Sequence, residues 1–181
     1  MNDRDVHKTK FHALLQEQID NEFTTAQQYI AMAVYFDDAD LRQLAKHFYR
    51  QAVEERNHAM MLVQYLLDRD VRVEISGVDG VRNQFDTPRD ALALALDQER
   101  AVTEQISRLA AAARDEGDYL GEQFMQWFLK EQVEEMALMT TLLRVADRAG
   151  ANLFDLENFV AREIEAPHSQ SGAPHAAGGS L

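Results

Sequence analysis

The 181-residue chain contains no cysteine. A disulfide framework, a thiol nucleophile, a zinc ribbon and a cysteine-ligated iron–sulfur cluster are therefore excluded. Positive charge is scarce: 18 Lys and Arg stand against 31 Asp and Glu, for a formal net charge of -13. The basic footprint that nucleic acid or an anionic membrane would require is missing, and the balance suits cations as partners. No apolar run is long enough for a signal peptide or a membrane span, the N-terminal MNDRDVHKTKF included. The expectation is a soluble, cytoplasmic protein. Glycine and proline are absent from long stretches. All eight Gly lie at or after Gly77 and all three Pro at or after Pro88, so residues 1–76, 89–116 and 122–149 contain neither. These are the costliest residues in a helix interior, and their absence over such lengths points to long helices. What is present is an ordinary hydrophobic fraction of 46%, enough for the core of one domain.

The first clean stretch is too long for a single helix in a compact domain. Asp37, Asp38 and Asp40 interrupt it, and an Asp at position 40 can cap a helix start. The reading is helix 1 over roughly 7–37 and helix 2 over roughly 40–69. The alternating, Gly-containing VRVEISGVDGVRNQFD follows. Thr87-Pro88-Arg89-Asp90 then reads as an N-cap, a proline at the first helical position and a first-turn carboxylate. Helix 3 runs over about 88–116 and ends at Gly117. Helix 4 starts at Asp118 and stops at Gly150. Asn152 can cap a short fifth helix over roughly 153–165. The tail from Ala166, rich in Ala, Gly, Pro, Ser and His, reads as unstructured, giving a domain over 1–165 and a flexible segment over 166–181. Short turns join helices 1 to 2 and 3 to 4 as antiparallel hairpins, whereas the long connection between helices 2 and 3 can run the length of a bundle. The fold class is all-α, a four-helix bundle with one long crossover, the arrangement of ferritin-like folds.

Each helix has an apolar seam at 3- and 4-residue steps, and each seam is interrupted near its middle by glutamate. The seams carry Glu22 on helix 1, Glu55 on helix 2, Glu99 on helix 3, and Glu131 and Glu135 on helix 4. Any one of these alone reads as a solvated residue at the edge of its face. Four at similar depth on packed helices would repel, and most would protonate unless a cation joined them. Four carboxylates carry the charge that two divalent cations neutralise. His58, three residues after Glu55, puts an imidazole on the same turn; oxygen-rich ligation with one imidazole suits Fe, Mn or Zn. Gln132 lies one turn before Glu135 and can bond a second metal or its water. Glu54, Glu131 and Glu134 form an adjacent acidic set, read either as a third metal site or as a solvated stripe. Tyr29, two turns from Glu22, and Trp127, one turn before Glu131, can relay electrons, or are large core residues. His7, His12 and His47 read as surface residues. His168 and His175 lie in the tail, and Met60-Met61 reads as core packing.

The strings NEFTTAQQY, QAVEERNHAM, ALDQE and QWFLKEQVEEM resemble the bacterial non-haem ferritins, most closely the actinobacterial bacterioferritin B type, over roughly residues 8–165. The resemblance implies a ferroxidase that oxidises Fe(II) with O2 and stores Fe(III). It matches Glu22, Glu55 and His58 to a first iron position, with Glu55 bridging. Glu99 and Glu135 match the second position with Gln132 nearby, and Glu54, Glu131 and Glu134 a third. Tyr29 and Trp127 match the family's central aromatic residues. It further implies a twenty-four-subunit cage with helix 5 at four-fold axes, and three-fold channels lined by acids such as Asp115, Glu116, Asp118 and Glu122. Arg56 stands where haem-binding relatives place Met, and Leu138 where they place a second His, so no haem is expected. The reductase that releases iron is not named by the sequence. Two other readings stay open: a helical assembly module without redox activity, and a small di-metal oxidoreductase acting on an organic substrate.

Overall fold

The structure, a computed structural model, describes residues 9–164 and 172–181. Five helices follow in order: α1 (Lys10–Asp38), α2 (Arg42–Asp68), α3 (Pro88–Asp115), α4 (Tyr119–Ala149) and α5 (Leu153–Glu163). There is no strand among the described residues. The starts of α3 and α4 are as the sequence predicts. The Thr87 hydroxyl accepts from the Asp90 N–H at 3.1 Å, ahead of Pro88 in the first turn. The Asp118 carboxylate accepts from the Gly121 N–H at 2.9 Å.

Asp40 does not cap α2. It adopts a left-handed backbone, φ 59, and closes α1 instead. The Asp40 N–H returns to the Asp37 carbonyl and the Leu41 N–H to the Phe36 carbonyl, the paired bonds of a left-handed C-terminal cap. Asp70, φ 54, does the same after α2, with Val71 bonding back to Leu66. Aspartate takes the place usually given to glycine because its short side chain tolerates this conformation. The first turn of α2 is capped from elsewhere: the Glu157 carboxylate of α5 accepts from the N–H groups of Gln43 and Leu44 at 2.8 and 2.9 Å. Asn152 precedes α5 without a side-chain cap; its amide donates to Asp155.

The segment between α2 and α3 carries no regular structure and climbs along α1. The Gln16 amide is bonded to the Glu74 main chain, Thr24 accepts from the Asp79 N–H, and Gln28 bonds both the N–H and the carbonyl of Arg82. Phe85 then packs on Tyr35 near the far end of α1. Contacts at positions 16, 24, 28 and 35 in turn mean that the connection returns to the end where α2 began. Helices α2 and α3 therefore run parallel, and the long crossover expected from loop length is present.

One expectation is corrected by packing. His12 and His47 are buried, not surface residues: His12 joins the Thr9 cap of α1 and His47 packs edge-on to Phe48. His7 and His168 lie outside the described residues. Residues 172–181 form no helix or strand and lie along α2. The Ala177 N–H donates to the Met60 carbonyl at 2.9 Å, and Asn57 bonds the main chain of Leu181. Chain made of Ala and Gly has no bulk to hold it off a helix, and Ala176 is buried there.

The apolar core is in two parts. One cluster is built around Phe36, Phe48, Leu92 and Leu142, the other around Phe11, Leu62, Ile106 and Phe128. Between them lies a layer of buried polar side chains from all four long helices.

Candidate metal centre

That layer contains Glu22 from α1, Glu55 and His58 from α2, Glu99 from α3, and Gln132 and Glu135 from α4. All six are at most 4% exposed. Each occupies the seam position that the 3- and 4-residue spacing assigns to it, so helix periodicity alone carries it inward. Ligand atoms of Glu22, Glu55 and His58 lie within 4.8 Å of one another. The His58 Nδ1 is 3.1 Å from Glu55 Oε2. Glu99 and Glu135 lie outside this tight triad but within its field. Glu99 acts on Glu55 and is acted on by Glu22 and His58, and Glu135 acts on Glu55 and is acted on by Glu99.

The charges in this layer are uncomfortable without a cation. Burial, followed by the neighbouring Glu55 carboxylate, pushes Glu22 well above the usual carboxylate range. Burial and then Glu99 do the same to Glu55 and to Glu135. Burial drives Glu99 up to about 7, although hydrogen bonds from Tyr29 and Gln132 oppose it. The desolvated anions repel each other, and protonation relieves that repulsion.

Neutral donors hold one oxygen of three of these carboxylates and leave the other bare. The Gln18 amide donates to Glu22 Oε1 at 2.9 Å. The buried Tyr29 hydroxyl donates to Glu99 Oε1, so this aromatic residue is more than core filling. The Gln51 amide donates to Glu135 Oε1 at 3.4 Å. Glu22 Oε2, Glu99 Oε2, Glu135 Oε2 and His58 Nε2 are buried with no hydrogen-bond partner among the described residues. Unpaired buried acceptors are costly, and three anionic ones in a single layer fit a cation. Two divalent ions match the four carboxylates in charge, and the donor set is oxygen-rich with one imidazole.

The adjacent acidic set is wetter. Glu54 and Glu131 are half-buried, Glu134 is exposed with Lys130 at 3.9 Å, and the three form no cluster as tight as the buried triad. They nonetheless raise Glu135, and Gln51 bonds Glu54 as well as Glu135, so Glu135 stands where the two sets meet. Trp127 packs edge-on to the His58 ring at 5.6 Å. Of the acids near the α3–α4 turn, Glu116 accepts from the N–H groups of Lys10 and Phe11, Asp118 caps α4 and pairs with Arg69, and Glu122 pairs with Arg114. These groups have structural partners already.

Gln18, Gln51 and Thr103 escape a search for charged ligands. Each lies one turn from a seam glutamate, Gln18 four before Glu22, Gln51 four before Glu55 and Thr103 four after Glu99. The Thr103 hydroxyl lies 2.8 Å from Gln132 Oε1. An uncharged polar residue at a seam position beside a glutamate is the signal that could have found them.

Comparison with known proteins gives the family. The Ferritin-like domain family model matches residues 12–149. The chain is 79% identical over 174 residues to bacterioferritin BfrB of Mycobacterium tuberculosis, covering 96% of each chain. It is 76% identical over 173 residues to ferritin BfrB of Mycolicibacterium smegmatis, again covering 96% of each. The solved structure of an open pore ferritin from Archaeoglobus fulgidus superposes with a TM-score of 0.82 at 29% identity, over 86% of this chain and 97% of that one. With five helices, one long crossover and a buried carboxylate layer already in place, these matches establish that the chain belongs to the ferritin-like family.

Proposed function

We infer that this protein stores iron, and that its buried carboxylate layer is a ferroxidase centre. The observation that carries the reading is the convergence of Glu22, Glu55 and His58 within 4.8 Å, beside the bare oxygens of Glu99 and Glu135. Fe(II) is the substrate. Glu22, Glu55 and His58 would hold one ion, Glu99 and Glu135 the second, with Glu55 shared between them and Gln132 beside it. Each Fe(II) gives one electron to O2, which takes up two electrons and two protons. The protein's part is ligand placement and charge balance. Glu54, Glu131 and Glu134 give a half-solvated third position next to Glu135. Arg56, whose guanidinium contacts Asn57, occupies the position where haem-binding relatives carry Met, and the reading is of a haem-free protein. The assembly is a hollow twenty-four-subunit cage in the cytoplasm, with Fe(III) mineralised inside; its reductase is not identified. Among the described residues no helix is long and apolar enough to cross a membrane.

Aerobic addition of Fe(II), followed by ferric absorbance, tests the centre. The parent should oxidise iron rapidly at two Fe(II) per subunit, and Glu55→Ala with His58→Ala should lose that phase. Oxidation in the double variant as fast as in the parent would remove the assignment.

A further inference from the structure

Glu22 Oε1 accepts a hydrogen bond from the side chain of Gln18, which is itself only 2% exposed. The orientation of that amide is fixed on three sides. Its Nε2 donates to Glu22 Oε1 at 2.9 Å and to Gln105 Oε1 of α3 at 3.1 Å. Its Oε1 accepts from the Asn21 amide at 3.4 Å. Turning the amide over would set its one oxygen against the Glu22 carboxylate and the Gln105 carbonyl, and its NH2 against the Asn21 amide, so the donor must face Glu22. Gln18, Asn21 and Gln105 also line a groove of about 390 Å³ between α1 and α3 that opens to solvent. The amide therefore stands where a water from the groove would otherwise solvate the carboxylate. A water there could turn and exchange, whereas the amide cannot.

From this geometry we propose that Gln18, held by Gln105, is a positioning residue for the metal pair: it occupies one oxygen of Glu22 and so presents the other, Oε2, to the cation. It is not a catalytic residue, since it touches no reacting atom. Partners that fix a ligand in this way commonly govern affinity by about ten- to hundred-fold. The inference rests on the ferroxidase reading of the pocket.

The test is anaerobic titration of the metal-free assembled protein with Co(II), followed by calorimetry and by the visible Co(II) bands. Parent, Gln18→Leu, Gln105→Leu, the double variant and His58→Ala are compared. Gln105 is half-buried, so its variant keeps the test informative even if Gln18→Leu folds poorly. Gln18→Leu should bind about ten- to hundred-fold more weakly with altered bands. Gln105→Leu should lose less, and the double variant no more than Gln18→Leu alone, because the two act through one hydrogen-bonded chain. Affinity and bands equal to the parent in Gln18→Leu, or fully additive losses, overturn the role of Gln18 while leaving the centre intact. Failure of the parent to bind Co(II), or binding indifferent to His58→Ala, overturns the centre itself.

Discussion

Glu99 shows most simply what the buried layer does at the scale of one residue. Its carboxyl ionises near 4.5 in an ordinary setting and at about 7 in the fold. Between those values the metal-free folded chain binds more protons than the unfolded one. Its contribution is therefore fully present below pH 4.5 and is lost as pH rises through 7. Glu22, Glu55 and Glu135 are shifted in the same direction. Metal-free protein should melt at a lower temperature at pH 7.5 than at pH 5.5, and a bound divalent cation, which displaces those protons, should abolish the difference. A melting temperature that rises with pH in the metal-free protein would contradict this. Tyr29 sharpens the point. Its hydroxyl favours the ionised form of Glu99, so Tyr29→Phe should raise that carboxyl further. Co(II) affinity should then fall more at pH 6 than at pH 8, an asymmetry that loss of packing alone would not produce.

At the scale of the helix, the chain ends each element locally but secures it from a distance. Asp40 and Asp70 stop α1 and α2 by turning left-handed, a choice made within five residues. The exposed N–H groups of α1 and α2 are capped by carboxylates far away in sequence, Glu116 and Glu157. A carboxylate at a helix start satisfies orphan donors and complements the helix dipole. Glu157→Ala should cost about 1–2 kcal/mol in unfolding free energy and should speed amide exchange in α5 before the rest of the bundle. Uniform exchange across all five helices would argue against that docking role. Gly121 serves the approach of α4 to α1: a Cβ there would collide with Phe11 Cε1, and Phe11 is fully buried. Gly121→Ala gains helix propensity of about 1 kcal/mol but overpacks the core by about 1–3 kcal/mol, so a net loss is expected in denaturant melts. Adding Phe11→Leu should return part of it, because the two positions share one contact.

The whole molecule joins two apolar clusters across a polar layer, an arrangement that a chain selected for stability alone would avoid. On the ferroxidase reading its cost falls when a cation enters, and native mass measurement offers the matching test of assembly. A cage predicts a particle of twenty-four times the 20.6 kDa chain, and a dimer or tetramer would favour a smaller di-metal protein. Much of this was legible in the sequence. Gly- and Pro-free stretches marked the long helices, and 3- and 4-residue steps put Glu22, Glu55, His58, Glu99 and Glu135 on inner faces. These are local signals, fixed by the 3.6-residue turn and by backbone cost.

The tertiary structure decided what depends on residues far apart in the chain. It gave the cap of α2 to Glu157 of α5, and it buried His12 and His47. It laid residues 172–181 along α2, and it made Gln18, Gln51 and Tyr29 partners of the carboxylates. Helix spacing puts Gln18, Gln51 and Tyr29 on inner faces, but which carboxylate oxygen each one meets is settled only once packing has brought donor and acceptor together. The sequence alone determined which side chains face inward. Only the fold determined which oxygen of Glu22, Glu99 and Glu135 is held by a neutral donor and which is left without a partner among the described residues.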